Sequence, residues 1–180
     1  MRKFVMILVN RIFKKEKSAK INDDTIYKAV KEWSKNPDKA EIKYGHISKW
    51  DTSQVTSMRK LFYKNTYFNA PINEWDVSKV QNMEEMFAKA SSFNQDISNW
   101  DVSSVTNMKA MFLEAFKFNQ AIGKWNVTNV NDMMFMFYEA HNFQQKLINW
   151  DVNNVVFYSH FSKKKYQLNF LHPNFSNPNL

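Results

Sequence analysis

Met83, Met86, Phe87 and Ala90 stand at i, i+3, i+4 and i+7, the spacing of one apolar stripe on a helix. The position before the stripe reads Ser57, Asn82, Asn107 and Asp132 in successive copies, all types whose side chains accept from first-turn N–H groups. Each unit is therefore expected to hold a short helix. Between these stripes, Ile97, Trp100 and Val102 follow an apolar-x-x-apolar-x-apolar pattern, with Trp100 and Val102 on one face of an extended segment. That segment is the predicted strand. The unit recurs every 25 residues: Trp50, Trp75, Trp100, Trp125 and Trp150, followed by Asp51, Asp76, Asp101, Asn126 and Asp151. Val55, Val80, Val105, Val130 and Val155 keep the same period, as do Met58, Met83, Met108 and Met133. A fixed period of this length predicts stacked repeats that bury their apolar faces against one another. The expected fold is α/β: a leucine-rich-repeat-like solenoid with one short strand and one short helix per repeat and an N-terminal capping helix.

The capping helix is read from Ile26, Ala29, Val30 and Trp33, again at i, i+3, i+4 and i+7, with Asp23 or Asp24 as its cap and Asn36-Pro37 as its end. Trp33 is out of register with the repeat tryptophans, as suits a cap. Four regions follow: a basic tail over 1–20, the capping helix over 21–45, the repeats over 46–155, and a degenerate cap or tail over 156–180. In the last region Tyr158 replaces the Met and Ser162 the Phe, so the final coil is expected to be improvised or frayed.

Charge sharpens this division. The chain of 180 residues carries a formal charge of +8. Residues 1–20 hold seven Lys or Arg against Glu16, and residues 156–180 hold Lys163, Lys164 and Lys165 with no acid, so 21–155 is one unit negative. A nucleic-acid partner needs clustered cations on the folded body, and the expectation is against one. Membrane contact is expected, if anywhere, through residues 1–20, where Phe4, Leu8 and Ile12 at spacing four could make a basic amphipathic helix over Arg2 to Lys17. The apolar run Phe4 to Val9 is shorter than a signal-peptide core, and no stretch is long enough to span a bilayer, so the default expectation is a soluble intracellular protein. With no cysteine, disulfides and thiolate sites are excluded.

Candidate chemistry is sparse. His46, His141, His160 and His172 share no repeat spacing, and two glycines, Gly45 and Gly123, cannot build a phosphate loop. No catalytic residue, metal site or cofactor is expected. A column of Asp51, Asp76, Asp101 and Asp151 would repel itself unless each carboxylate accepts locally in an Asx-type turn or shares a bridging cation. Asn126 fits the turn better, because an amide keeps the turn bond but weakens an ion site. The amides Asn69, Asn94, Asn119 and Gln144 read as a structural ladder between coils. If Trp100 faces inward, the residue before each Trp faces out: Lys49, Glu74, Asn99, Lys124 and Asn149, variable between fixed neighbours. That column is the candidate binding face, for a protein or glycan partner. The competing expectation is an assembly element that stacks end to end.

The unit from Phe93 through Asn94-Gln95-Asp96-Ile97-Ser98-Asn99-Trp100-Asp101-Val102 to Asn107-Met108, with Met111-Phe112 and Ala115, resembles the 25-residue repeat of BspA-like leucine-rich-repeat surface proteins, also known as the Mycoplasma-type lipoprotein repeat. The resemblance covers Ile47 to Val155 and implies a curved, non-catalytic solenoid with a role in binding or adhesion, often at a cell surface. Departures are Asn126 for the usual Asp, Asn65 for Ala, and a final repeat without its Met-Phe pair. Lipoproteins of that family carry a lipobox Cys that this chain lacks.

Overall fold

The computed structural model describes residues 19–163 and 172–175. The basic tail, apart from Ala19 and Lys20, lies outside the described residues, and so do 164–171 and 176–180. The chain opens with β1 (Lys20–Asn22), α1 (Ile26–Lys35) and α2 (Pro37–Tyr44), then a single 3-10 turn and β2 (Asp51–Gln54), which pairs in parallel with β1. In α1 the four residues of the apolar stripe, Ile26, Ala29, Val30 and Trp33, are all buried. The second helix was not expected. Asn36 ends α1 and caps α2 through Lys39 N at 3.0 Å, Pro37 takes the first helical position, and Gly45, at φ 79°, ends it.

The helix expected in each repeat is absent, and tight turns take its place. Glu85 and Lys89 adopt left-handed backbone angles, as do their counterparts Lys60, Lys64, Ala110, Glu114, Phe135, Glu139 and His160, with φ between 53° and 63°. A left-handed residue every fourth position breaks the i to i−4 ladder. Instead Met86 N bonds to Met83 O, Ala88 N to Glu85 O and Ala90 N to Phe87 O, each a three-residue step of 3.0–3.1 Å. The alternate N–H groups turn outward to the next coil: Met83, Glu85, Phe87 and Lys89 donate to Asn107, Lys109, Met111 and Leu113 at 2.7–3.0 Å. The same set runs from Met58, Lys60, Phe62 and Lys64 to Asn82, Glu84, Met86 and Ala88. A two-turn helix is marginal by itself. Turns tie every coil to its neighbour instead, which offsets about 1 kcal/mol of strain at each left-handed residue.

The predicted strand is likewise absent after β2, where isolated parallel bridges Ser57↔Asn82↔Asn107↔Asp132↔Phe157 remain. Trp100 N closes a turn on Ile97 O and Val105 N another on Val102 O, so the segment is too bent to ladder. Its alternation survives: Trp100 and Val102 are buried, Asn99 and Asp101 exposed.

Inside the coils the core is a set of aromatic and Met columns. Phe87 stacks on Phe93 at 3.8 Å within its coil and on Phe62 and Phe112 at 5.4 and 5.7 Å in the coils either side. Met58, Met83, Met108 and Met133 are fully buried. At the start of the stack, Asp23 does not cap α1, whose first turn has no side-chain cap. Its carboxylate accepts from Thr56 N, Ser57 N and the Thr56 hydroxyl at 2.6–3.1 Å. At the far end Phe161 is buried, and Phe175 stacks on Tyr158 at 4.7 Å. No described helix is long and apolar enough to cross a membrane.

Candidate functional site

The repeat tryptophans are 2–4 % exposed, and their indoles explain why Trp recurs there. Trp75, Trp100, Trp125 and Trp150 Nε1 donate to Ile47, Ile72, Ile97 and Ile122 carbonyls of the preceding coil at 2.8–3.2 Å. One side chain thus fills the core and satisfies the adjacent backbone.

The aspartate column resolves as turns. Oδ1 of Asp51, Asp76, Asp101 and Asp151 accepts from the N–H two residues on, at 3.0–3.2 Å, and Asn126 does the same toward Thr128. Hydrogen bonds from Ser53, hydroxyl first and N–H second, hold the Asp51 carboxyl below its ordinary value, and Ser103 does so for Asp101. Among the described residues no group of three or more His, Asp or Glu side chains is placed to hold a metal ion. The amide ladder is also present: Asn69, Asn94 and Asn119 Oδ1 accept from Asn94, Asn119 and Gln144 N–H at 2.9–3.0 Å.

The candidate binding column divides in two. Lys49 and Glu74, at its start, form an ion pair at 2.7 Å. Asn99, Lys124 and Asn149 are exposed and rim an open depression of about 600 Å³. Ser98, Ala121, Gly123, Gln144, Gln145 and Lys146 complete its lining.

Sequence explains why the depression lies there. The two smallest residues of this arc, Ala121 and Gly123, fall in one coil, where the next copy has Lys146 and Ile148. Gly123 is imposed by contact: a Cβ there would sit 2.3 Å from the Lys146 carbonyl oxygen. The lining holds two lysines and no acid. One of its amides is held from behind: Gln145 Nε2 donates to Asn119 Oδ1 and O at 2.8 and 3.2 Å.

One pattern was missed in the sequence. Arg59–Glu84, Lys60–Glu85 and Lys89–Glu114 pair at 2.9–3.3 Å, each one period apart like Lys49–Glu74. Opposite charges 25 residues apart on the outer positions were the available signal.

The comparisons bear on the same residues. No curated protein and no solved structure matches the chain. Two overlapping stretches, residues 28–150 and 82–172, match one family, described as "Mycoplasma protein of unknown function, DUF285". Together they take in Ala29, Val30 and Trp33 of the α1 core stripe, every repeat tryptophan and the depression. On a match spanning well over half its length, the chain belongs to the DUF285 family.

Proposed function

We propose that the chain is a non-catalytic binding module, a solenoid of the BspA-like leucine-rich-repeat class that presents one face of its coils to a protein or glycan partner. The observation that carries this reading is the depression rimmed by Asn99, Lys124 and Asn149. These positions vary from coil to coil, while the Trp before the Asx turn and the amide ladder beneath hold the surrounding backbone. Fixed residues build the coil, and the exposed, variable ones are free to meet a ligand. The competing reading, an assembly element stacking end to end, has the exposed Val156 and Phe157 on its side. Its other edge is closed, however, because Asp23 occupies the first coil's N–H groups and Tyr27 Oη donates to Arg59 O.

The test is a glycan and peptide array probed with the wild-type chain and with a variant carrying Asn99→Ala, Lys124→Ala and Asn149→Ala. The reading predicts a discrete set of bound features that the variant loses with its melting curve unchanged. An array with no bound feature, or one the variant binds equally, would contradict it.

A further inference from the structure

We infer that the depression recognises a carboxylate-bearing oligosaccharide; this rests on the binding-module reading and names its ligand class. Charge is the first argument. Along the stack four cations of the outer positions pair with acids of a neighbouring coil: Lys49 with Glu74, Arg59 with Glu84, Lys60 with Glu85, Lys89 with Glu114. Among the described residues Lys124 and Lys146 have no such partner, nor have Lys64, Lys79, Lys109 and Lys117, but Lys124 and Lys146 are the two that line the depression. The residues one period before them are Asn99 and Ala121, and Lys124 is followed one period later by Asn149, so no acid stands where the other columns place one. Neither lysine enters an ion pair among the described residues, and no Asp or Glu lines the depression they share. An anionic group on the ligand would supply the missing counter-charge.

The rest of the lining selects among anions. Gln144, Asn99, Asn149 and Ser98 offer both donors and acceptors, which suits sugar hydroxyls, themselves donors and acceptors at once. A docked peptide draws most of its affinity from an aromatic or aliphatic anchor in a desolvated pocket. The only apolar side chain in the lining is Ala121, too small to form such an anchor pocket. Two lysines are also too few for the phosphate neutralisation on which nucleic-acid binding depends. A carboxylated sugar uses the cations and the amides together.

The experiment is calorimetric titration of the full chain with a galacturonic acid hexamer, with maltohexaose as neutral sugar and a hexaglutamate peptide as acidic peptide. The uronate hexamer should bind and the other two should be far weaker. Lys124→Gln with Lys146→Gln should weaken uronate binding roughly tenfold, as expected for two exposed charge-assisted contacts. Lys117→Gln, an exposed lysine outside the depression, should change nothing. Equal affinity for maltohexaose, preference for hexaglutamate, an inert double variant, or no uronate binding at millimolar concentration would each overturn the inference. If array features are lost by the Asn99, Lys124 and Asn149 variant but are neutral glycans or peptides, the binding module stands and only the anionic sugar falls.

Discussion

The two ends of the stack face the same physical problem and solve it differently. A coil in the middle passes N–H groups to the coil before it: Thr106 and Asn107 both donate to Gln81 O. No repeat coil precedes the first among the described residues, and there the Asp23 carboxylate takes the place of a preceding carbonyl, accepting from Thr56 N at 2.8 Å and Ser57 N at 3.1 Å. After the last coil no further repeat follows among the described residues, and there the cover is apolar: Phe175 lies on Tyr158 and Phe161 at 4.7 and 5.0 Å, and His172 against Phe161 at 5.4 Å. One edge is closed by a carboxylate on a loop before α1; at the other, aromatic rings cover Tyr158 and Phe161 and leave Val156 and Phe157 exposed. Both leave the coils between them to carry most of the stability, through columns that touch two neighbours each.

That division orders the expected effects of mutation. Trp100→Ala, in a central coil, removes a buried ring and the indole bond to Ile72 O, and should cost about 3–5 kcal/mol. Loss of the cooperative thermal transition would register it, and a wild-type melting curve would contradict the two-sided role of the column. Gly123→Ala forces a Cβ against the Lys146 backbone and should cost about 1–3 kcal/mol, read from denaturant unfolding. Asp23→Ala leaves two N–H groups at the first edge without their carboxylate and should cost about 1 kcal/mol, in the range of a lost helix cap. Phe175→Ala, at a half-exposed ring, should cost less, about 0.5–1 kcal/mol. If Phe175→Ala proved worse than Asp23→Ala, the ranking of the two edges would be reversed.

Acid should open the two edges in sequence. Burial pushes the His172 imidazole below its ordinary value of 6.5, so the neutral ring favours folding above that pH, and the contribution fades as pH falls toward the depressed value. Burial raises the Asp23 carboxyl, but the bonds from the Thr56 hydroxyl and from Thr56 and Ser57 N–H outweigh it and hold it below 3.8. Its contribution is complete above that pH and fades only as pH falls further. Hydrogen exchange followed from pH 7 downward should therefore show the coil around Phe161 loosening before Thr56 and Ser57. Simultaneous loosening would mean that the edges are not independent.

The 25-residue period, the inward face of each coil and the α1 stripe were legible because large apolar side chains mark them without ambiguity. The local conformation was not. Met83, Met86, Phe87 and Ala90 point inward from successive tight turns as well as they would from a helix, so the spacing alone does not separate the two. The left-handed residues that decide the matter are Lys, Glu, Ala, Phe and His, none of which announces positive φ as Gly or Asn would. Asx turns were readable because Asp and Ser sit two residues apart in three of the five copies. The candidate binding column was half readable: its outward direction follows from Trp100 and its Lys49–Glu74 pair from the 25-residue spacing of opposite charges, but the depression depends on how adjacent coils meet. Gly123, one of two glycines in the chain, was the remaining clue, since a glycine where other copies carry Asn73, Ser98 and Ile148 marks a close backbone approach.

The claim that this depression is where the protein binds is tested most directly by filling it. Ala121 is exposed and lines the depression without belonging to the core, so Ala121→Trp should occupy the space and leave the fold alone. The account predicts that array binding is lost while the melting temperature stays at the wild-type value. Undiminished binding by a folded Ala121→Trp chain would place the ligand elsewhere and contradict it.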